Sequence, residues 1–589
     1  MTNILIDRLR ISNFRGLEDF KINLSKTTVL TGVNNAGKTT VLKALQLALG
    51  NRAFITTDDL YIKQAIRADK IIIDIRIIPV DEKGKRIQLF DEIWESTFKE
   101  IAIMFETDGN AYFPLRTVLE YNAFKGDFDK TQSVLKEWES NDIEWKKLES
   151  SRLKLSTESL PFYYIEAQRD VVEDMRLRTS FLGKMLSQVS KSYSSNDIEA
   201  LEELIKNINE EAINRSDILT IIQVALSGVD ATIDNKGSNI AITPFAKKIR
   251  DLNKNITIEY GEKDDAFMMD YHGMGTRSWS SLLTFKAFLN QIQISAEKTE
   301  DTPYFPIIAI EEPEAHLHPN AQKKLYHQIN EMPGQKIIST HSPYVAACAE
   351  LSEIRDLYKN KKDGKVYVGA LDCEIISPND LRKIRQKVIN TKGEILFSKA
   401  LVLFEGETEE QAFPIMAEKY FRCSASELGI DFVGVGGAGQ YYPFIKLAAD
   451  LNIPWYIFSD GEDMPVSQMT SAVKDNKGSS FTNIKNENNI FIIDNKEDFE
   501  KYIIRLDYLL DIKNVIKAEE LPKCLNIRHK NKKADEIDKF TSEHILVESK
   551  IHKTQYALIY ANAICHSVKP LPPLVTSLFD KIKIDLGYE

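Results

Sequence analysis

The fold of this chain is decided by Gly32-Val33-Asn34-Asn35-Ala36-Gly37-Lys38-Thr39. The stretch Thr28–Thr31 before it predicts a short strand, and the stretch Val41–Leu49 after it predicts a helix that ends at Gly50. Two glycines followed by lysine and threonine, placed between a strand and a helix, are typical of a loop whose backbone N–H groups wrap phosphates. The sequence therefore predicts a nucleotide site at the start of an α/β domain.

Each residue of this loop has an expected role. Lys38 reaches the β- and γ-phosphates, and Thr39 ligates Mg²⁺. The residues that we expect to bind the nucleotide here are Gly32, Asn34, Asn35, Gly37, Lys38, Thr39 and Thr40.

A second part of the nucleotide site is predicted far downstream. The apolar run Phe305–Ile310 ends in Glu311 and Glu312. We expect Glu311 to hold Mg²⁺ through water and Glu312 to orient the attacking water. His341 follows the next strand and is placed to sense the γ-phosphate. The expected cofactor is ATP with Mg²⁺.

A separate set of carboxylates follows two later apolar runs. Leu401–Phe404 ends at Glu405, with Glu409 one turn into the next helix, and Ile453–Ser459 ends at Asp460 and Glu462. Carboxylates at the carboxyl ends of neighbouring parallel strands converge in one crevice. Such a set without Cys or His selects Mg²⁺ or Mn²⁺, and its like charges need a cation to balance them. The sequence therefore predicts a metal site here.

Length and composition indicate a multidomain protein. At 589 residues, two or three domains are expected, and no apolar run reaches the ~20 residues that span a bilayer. The five cysteines form no C-x-x-C pair, and no secretory signal is evident, which predicts a cytoplasmic protein without membrane contact. The net charge of −11 does not favour nucleic-acid binding, although a local basic face can act within an acidic whole. Arg528–Lys533 is the densest basic stretch, interpreted either as a solvated loop or as a DNA contact.

The chain divides by pattern into consecutive segments. Leu5, Leu9 and Ile11 alternate with polar residues and predict an N-terminal strand, and Ile71–Val80 predicts a buried one. A helical pattern from about residue 172 to 225 interrupts the first α/β domain. A polar segment around 376–394 is the expected linker. We therefore expect the ATPase at 1–170 and 251–390, a helical dimerisation insertion at 171–250, and a second domain at 391–589.

The first domain resembles ATPases of the ABC class, especially the branch of structural-maintenance and RecF-like DNA-repair ATPases. Ile11–Gly16 is similar to the N-terminal strand motif of that branch, and His316–Pro319 is similar to its D-loop. Gly273–Ser278 occupies the place of the signature motif but departs from its L-S-G-G-Q pattern. Glu311 replaces the commoner Asp. In this class ATP lies between two heads, so the resemblance implies a homodimer or a higher homo-oligomer.

The second domain resembles the TOPRIM fold of topoisomerases, primases and some nucleases. Glu405 matches its glutamate, and Asp460 with Glu462 matches its D-x-D pair, with Asp463 as a further candidate for the second position. The E-G-x-x-E form of Glu405–Glu409 is similar to the OLD nuclease branch and implies two metals.

Two further residues are implied by the OLD branch. Glu500 is favoured over Asp498 as an additional acidic ligand. Lys553 either stabilises the transition state or is a surface helix residue. The implied metal ligands are Glu405, Glu409, Asp460, Glu462 and Glu500.

An ABC-type head followed by TOPRIM is identified as a member of the OLD (overcoming lysogenization defect) family of ATP-dependent endonucleases. The resemblance implies metal-dependent cleavage of DNA with Glu405, Asp460, Glu462, Lys553 and Glu312 as catalytic residues. It also implies antiphage defence, alone, with a helicase-like partner in the Gabija manner, or as a retron effector with a reverse transcriptase and its msDNA.

Other functions stay open at this point. The main alternative is a RecF-like DNA clamp or switch whose TOPRIM module binds nucleic acid without cutting it. A primase or topoisomerase would need partner domains for which this length leaves little room, and no tyrosine nucleophile stands in a motif. Whether ATP is hydrolysed or only sensed is a further open choice.

Overall fold

The structure is a computed structural model of the whole chain. The residues that it describes are 3–50, 55–138, 145–152, 159–177, 180, 182–183, 186, 193–217, 219–220, 259–260, 267–297, 303–389 and 393–588. Within these ranges, no helix is both long and apolar enough to cross a membrane.

The strands, numbered along the chain, are β1 (Asn3–Phe14), β2 (Leu17–Asn23), β3 (Thr27–Thr31), β4 (Ile62–Lys63), β5 (Ile66–Arg67), β6 (Lys70–Val80), β7 (Met104–Phe105), β8 (Ala111–Asn122), β9 (Asp127–Leu135), β10 (Ser150–Arg152), β11 (Phe162–Ile165), β12 (Glu259–Tyr260), β13 (Phe267–Met268), β14 (Ile307–Glu311), β15 (Gln335–Ser339), β16 (Ile354–Lys359), β17 (Val366–Gly369), β18 (Ala400–Phe404), β19 (Ile430–Gly434), β20 (Trp455–Ser459) and β21 (Ile490–Ile492).

The α-helices are α1 (Lys38–Leu49), α2 (Glu92–Phe98), α3 (Val171–Arg176), α4 (Ser195–Asn214), α5 (Met274–Glu297), α6 (Pro319–Asn330), α7 (Pro343–Cys348), α8 (Pro378–Lys383), α9 (Glu407–Phe421), α10 (Ala425–Leu428), α11 (Tyr441–Asp450), α12 (Asp463–Lys477), α13 (Phe499–Arg505), α14 (Leu509–Glu520), α15 (Ile527–Asp538), α16 (Ser542–Ile551), α17 (Lys553–His566) and α18 (Pro573–Leu586).

Two sheets enclose α1 in the N-terminal part of the protein. One sheet is antiparallel with the order β10-β9-β8-β6-β1-β2, and the other has the order β11-β14-β15-β3-β16-β17 with only its last pair antiparallel. Val41 and Leu45 of α1 share one hydrophobic core with Leu9 and Ile11 of β1 and with Ile307 of β14. This arrangement fixes the phosphate-binding loop at the carboxyl edge of β3, in the middle of the parallel sheet.

The chain leaves and re-enters the same sheet around the predicted helical block. β11 and β14 are adjacent parallel strands, although α3, α4 and α5 lie between them along the chain. Helices are present in this block as α3 and α4, and much of the remaining block falls outside the described residues. Ile308 and Ile310, on the other face of β14, pack with Leu282 and Phe285 of α5.

The C-terminal part is built on a four-stranded parallel sheet with the order β19-β18-β20-β21. Parallel sheets are covered on both faces, and alternate residues of β18 serve the two sides. Leu401 and Leu403 belong to the core that also contains Ile308 and Ile310, whereas Val402 and Phe404 pack under α9, α13, α17 and α18. The architecture is therefore α/β in both parts, with an ABC-type head followed by a TOPRIM-like Rossmann sheet, as the sequence predicts.

Arg10 and Ser12, polar residues of β1, are buried, and the apolar Leu5 lies on the side of Arg10, since both contact Trp138. The register of β1 against β6 shifts between Ile6 and Arg8, and the extra residue reverses the alternation of side chains. Leu5 therefore packs with Trp138 instead of with Leu9 and Ile11. The prediction that Leu5 shares their face was wrong because a bulge cannot be read from alternation alone.

Two expected irregular segments are helical. The expected linker around 376–394 contains α8 and a π-helix at Ile384–Ile389, whose Ile384 and Val388 are fully buried. The basic stretch Arg528–Lys533 lies in α15 and is not a loop. The stretch shows no helical period of apolar residues, because only Ile537 of α15 reaches the core.

Candidate active sites

The phosphate-binding loop depends on backbone conformations that glycine allows. Gly32 has φ 124° and Gly37 has φ 103°, and Gly37 directly precedes α1. A β-carbon on Gly32 would lie 2.3 Å from the carbonyl oxygen of Leu357, so a larger residue would displace β16. Asn34 and Asn35 are exposed at the tip of the loop, where a nucleotide would approach.

Lys38 lies inside this loop with its ammonium group bound to the loop itself. Its Nζ donates to the carbonyl oxygens of Gly32 at 2.7 Å and Val33 at 3.1 Å. Burial lowers the pKa of Lys38 to about 8, against the opposing charges of Asp356, Glu312 and Glu314. The lysine is therefore held where phosphate oxygens would replace the two carbonyls as acceptors.

The two residues expected at the nucleotide's Mg²⁺ are already in contact. Thr39 Oγ1 donates to Glu311 Oε1 at 2.5 Å. The two residues are far apart in sequence and come together because β15 pairs with both β3 and β14. Tyr164 OH donates to the other oxygen, Glu311 Oε2, also at 2.5 Å. No motif in the sequence marks Tyr164, which reaches the site because β11 lies beside β14. Thr40, also expected at the nucleotide, is half-buried in the first turn of α1.

The residues predicted to orient the attacking water and to sense the γ-phosphate also lie together. His341 Nε2 is 3.7 Å from Glu312 Oε1, and Glu312 adopts a left-handed φ of 41°. Burial lowers the pKa of His341, and the charge of Lys38 acts in the same direction. Glu314 Oε1 fixes the sensing loop, since it accepts from Thr340 Oγ1 at 2.7 Å and from the backbone N–H of His341 at 2.8 Å.

A buried arginine connects this site to the helix at the place of the signature motif. Arg169 donates to Ser278 Oγ at 3.2 Å and to the Pro313 carbonyl at 3.0 Å, and burial lowers its pKa to about 10. A β-carbon on Gly275 would lie 2.5 Å from the carbonyl oxygen of His316. The segment Gly273–Ser278 therefore packs directly on the predicted D-loop within one chain, despite its departure from the usual pattern.

A buried carboxyl group that sequence reasoning missed lies near Lys38. Asp356 on β16 accepts from Thr31 Oγ1 at 2.9 Å, and burial raises its pKa to about 7, with Thr31 and the charge of Lys38 acting in the opposite direction. No local motif marks this residue, because its partners come from β3 and α1.

We expect Asp356→Asn to change how stability depends on pH. The pKa of about 7 in the folded protein lies above the ordinary 3.8, so folding favours the protonated carboxyl and stability falls as pH rises through this window. Between about pH 5.5 and about pH 8 the unsubstituted protein should lose about 2 kcal/mol through this group. The variant should not, so its Tm relative to the unsubstituted protein should increase with pH.

The matched control for this prediction is Asp363→Asn, which changes an exposed carboxylate only a few residues away. The hydrogen bonds of Lys365 N–H and Tyr367 OH lower the pKa of Asp363, so this carboxylate stays ionised from about pH 5.5 to about pH 8 and the Tm curve of its variant should run parallel to that of the unsubstituted protein in differential scanning fluorimetry. Parallel pH curves for Asp356→Asn and the unsubstituted protein would contradict the assignment.

The second candidate site lies at the carboxyl edge of β18 and β20. These strands are directly paired, with Leu403 opposite Ile457, so Glu405 and Asp460 leave the sheet at the same edge. Glu409 is buried in the first turn of α9. Burial, followed by the charges of neighbouring carboxylates, raises the pKa of both Glu409 and Asp460.

The glycine-rich turn after β19, residues 435–439, positions Glu405. The Gly437 N–H donates to the Glu405 carbonyl at 3.0 Å, and the Ala438 backbone bonds to the Glu405 carboxylate, which lowers its pKa. Burial, the larger effect, and the charge of Glu462 raise it. The turn therefore holds the Glu405 carboxylate in place at the site.

The other acidic candidates divide into those that face the cluster and those that are engaged elsewhere. Glu500 accepts from Thr408 Oγ1 at 3.3 Å, and burial raises its pKa. Asp498 instead caps α13 through the Lys501 N–H at 2.8 Å and also pairs with the Lys501 ammonium. Asp463 is exposed and pairs with Lys496 at 2.6 Å. Glu462 is half-exposed, with Lys501 Nζ 3.7 Å away.

Two residues on neighbouring helices complete the surroundings of the carboxylates. Lys553 begins α17, and its charge lowers the pKa of Glu405, Glu409 and Glu500, although burial of these groups acts more strongly in the other direction. Lys553 is thus near the cluster while remaining exposed. Tyr441, which sequence reasoning missed, is fully buried beside the cluster, so its hydroxyl has no access to a substrate.

The chemistry of this donor set suits a hard cation. Glu405 Oε2 and Asp460 Oδ1 are buried, and neither has a hydrogen-bond partner among the described residues. Buried carboxylate oxygens without partners are costly, and a bound cation would satisfy them. Among the described residues, no three His, Cys, Asp or Glu side chains lie close enough together to hold one metal ion. The two unpartnered oxygens and the all-oxygen donor set are the features that suit a cation.

Comparison with known protein families covers both candidate sites. Residues 5–346 match the AAA ATPase domain family, and residues 396–461 match the family described as overcoming lysogenization defect protein-like, TOPRIM domain. The first match contains Lys38 and Glu311, and the second contains Glu405 and Asp460.

Three curated proteins are similar to most of the chain. The OLD nuclease of Thermus scotoductus (strain ATCC 700910 / SA-01) is 25% identical over 487 residues, which cover 79% of this chain and 83% of the relative. The Old nuclease of Escherichia phage P2 is 23% identical over 480 residues, with 76% of each chain covered. Endonuclease GajA of Bacillus cereus (strain HuB5-5) is 23% identical over 500 residues, covering 75% of this chain and 71% of the relative.

Proposed function

Because the chain belongs to the family of AAA ATPase domains and is homologous to OLD nucleases over most of its length, we propose that it is an ATP-regulated, metal-dependent DNA endonuclease. The observation that carries this proposal is the pair of buried, unpartnered carboxylate oxygens of Glu405 and Asp460 at one edge of a parallel sheet. Together with Glu409, they form an acidic centre that a divalent cation would balance.

The proposed metal ligands are Glu405, Glu409, Asp460, Glu462 and Glu500. Bound Mg²⁺ or Mn²⁺ would supply an activated water and would stabilise the negative charge that develops on the leaving oxygen. Asp460 and Glu405 provide rigid ligands from strand ends, and Glu409 from the first turn of α9. Lys553 would stabilise the charged phosphate in the transition state from the start of α17.

The proposed nucleotide ligands are the loop residues Gly32–Thr40 with Glu311, Glu312 and His341. Lys38 would exchange its two carbonyl acceptors for phosphate oxygens, and Thr39 with Glu311 would contact the Mg²⁺ of the nucleotide. Arg169 and Gly275 connect the turn after Glu312 to α5, and α5 packs against α3 of the helical block, so a change at the nucleotide would reach that block. ATP would thereby regulate the relative position of two heads in a homodimer or a higher homo-oligomer.

The finer assignments are also part of the proposal. We assign the ATPase to residues 1–170 and 251–390, the helical insertion to 171–250, and the nuclease domain to 391–589. The expected location is cytoplasmic, and the expected substrate is DNA. An antiphage role, with a helicase-like partner or a retron element, stays a prediction from the family resemblance.

Cleavage assays with a single carboxylate variant test the proposed function. We expect the purified protein to nick or degrade supercoiled and linear DNA with Mg²⁺ or Mn²⁺, and Glu405→Ala to lower the rate by about a thousandfold, because the cation loses a strand-end ligand. Agarose gels of time courses with and without ATP measure the rate and the direction of regulation.

The control is Glu407→Ala, which removes an exposed carboxylate from the same turn. It should cleave like the unsubstituted protein. If Glu405→Ala cuts DNA normally, the proposed metal centre is wrong. DNA binding with no cleavage under any metal or nucleotide condition would instead support the clamp.

A further inference from the structure

Helix α15 carries cations that neither candidate site uses. Residues 525–532 are exposed throughout, and the first two turns of α15 contain Arg528, Lys530 and Lys532. None of these three forms an ion pair with any residue that the structure describes. We call Arg528, Lys530 and Lys532 the basic cluster.

The acidic residues of α15 do not neutralise the basic cluster. Glu536 lies 3.6 Å from Lys533, and Asp538 is paired with Lys517 of α14 at 2.6 Å. Only Asp535 is left, one turn beyond Lys532. The first two turns therefore keep a net positive charge, with Arg528 and Lys532 four residues apart on the same side of the helix.

The stability of α15 does not explain why the basic cluster lies in its first two turns. Arg528 lies in the first turn of α15, where the helix dipole favours negative charge by roughly 0.3 to 1 kcal/mol, while Lys530 and Lys532 lie beyond that turn and gain nothing from the dipole. The cluster also contributes nothing to the core, which α15 joins through Ile537 near its other end. Exposed cations that stabilise neither the core nor an ion pair are suited to a partner of opposite charge.

The basic cluster lies at the end of the helical layer that faces the carboxylates. α14 packs against α17, and α15 follows α14 after a short turn. Lys569, just after the end of α17, pairs with Asp511 in the first turn of α14 at 3.8 Å, so these two helices run antiparallel and the end of α14 lies beside the start of α17. α17 runs in the same direction as α9, since Lys419 near the end of α9 donates to the Ile564 carbonyl at 3.2 Å, so Lys553 lies at the carboxylate end of the layer. The turn between α14 and α15 is therefore on the Lys553 side of the layer.

We propose that the basic cluster binds the phosphate backbone of duplex DNA and holds it beside the carboxylate site. This inference rests on the proposed nuclease function, because it names residues that would bind the DNA substrate of that enzyme. Contacts to phosphates position a duplex without reading its sequence. The cluster accordingly supplies affinity that depends strongly on salt, and it does so within a protein whose net charge is −11.

The salt dependence of DNA affinity tests this inference directly. The full-length protein with Asp460→Asn, which we expect not to cut, is titrated into a labelled DNA duplex with Mg²⁺ at several NaCl concentrations. Adding Arg528→Gln, Lys530→Gln and Lys532→Gln should weaken binding by about tenfold or more. Since each lost phosphate contact removes about 0.9 from the slope of log affinity against log salt, the slope should fall by about 2 to 3.

Two matched variants separate the charge from the fold. Lys83→Gln, Lys85→Gln and Lys362→Gln together remove the same charge from exposed positions outside α15 and should leave affinity and slope unchanged. Arg528→Lys keeps the charge and should keep the slope. An unchanged slope in the triple α15 variant overturns the inference, even if its affinity falls.

The salt-dependence experiment distinguishes failure of this inference from failure of the nuclease proposal. If the protein never cleaves DNA but the slope falls in the α15 variant, the nuclease function fails and the DNA-binding surface stands. If the protein cleaves DNA and the α15 variant binds as before, the nuclease function stands and the basic cluster has been assigned wrongly.

Discussion

Asp460→Asn should lower the rate of DNA cleavage about a thousandfold and leave nucleotide binding unchanged. Asp460 extends from the end of β20, its Oδ1 is buried without a partner, and burial with the neighbouring carboxylates raises its pKa. The amide has the same shape but no charge, so it cannot replace the carboxylate at a divalent cation. Initial rates of plasmid nicking measure the loss.

A thermal measurement distinguishes lost metal binding from lost structure. Without metal, Asp460→Asn should be at least as stable as the unsubstituted protein, because it removes one of several crowded negative charges. Mn²⁺ should raise the Tm of the unsubstituted protein and leave that of the variant nearly unchanged. Asp463→Asn is the control, since Asp463 is exposed and pairs outward with Lys496. Equal loss of cleavage in both variants would contradict the assigned roles.

Lys38→Met should weaken ATP binding by about a hundredfold or more, corresponding to about 3 kcal/mol. The Lys38 ammonium is buried in the loop and donates to the carbonyls of Gly32 and Val33, so it is the cation that phosphate oxygens would meet first. Methionine keeps the length and apolar stem of the side chain and removes only the charge. Binding of a fluorescent ATP analogue measures the effect.

Metal binding at the carboxylate site supplies the independent readout for this variant. Lys38→Met should retain the rise in Tm with Mn²⁺, because the loop that ends at Lys38 follows β3 and Asp460 follows β20, and these strands belong to different sheets. Lys26→Met, which changes an exposed lysine just before β3, should bind ATP normally. If Lys38→Met also lost the response to Mn²⁺, the two sites would not be separate.

The motif strands and their sheet edges could be predicted because they are local in sequence. Each run of apolar residues before Thr39, Glu311, Glu405 and Asp460 forms a buried parallel strand. Parallel strands place their carboxyl ends at one edge, so the encounters of Thr39 with Glu311 and of Glu405 with Asp460 follow from topology.

Residues that join the sites through distant contacts could not be predicted. Tyr164 reaches Glu311 over 147 positions, and Thr31 reaches Asp356 over 325, so neither pair leaves a periodic or motif signal. The shift at Ile6 that turns Leu5 to the other face of β1 depends on the register with β6. α15 escaped prediction because its first turns have hardly any apolar residue to reveal a helical period.

The hydrogen bonds inside the phosphate-binding site have a consequence for the heat of ATP binding. Lys38 and Thr39 already donate to protein oxygens, and Glu311 accepts from both Thr39 and Tyr164. A nucleotide therefore exchanges these bonds for new ones instead of adding to them. Calorimetry should therefore give a smaller favourable enthalpy of ATP binding than the number of new phosphate and Mg²⁺ contacts would suggest.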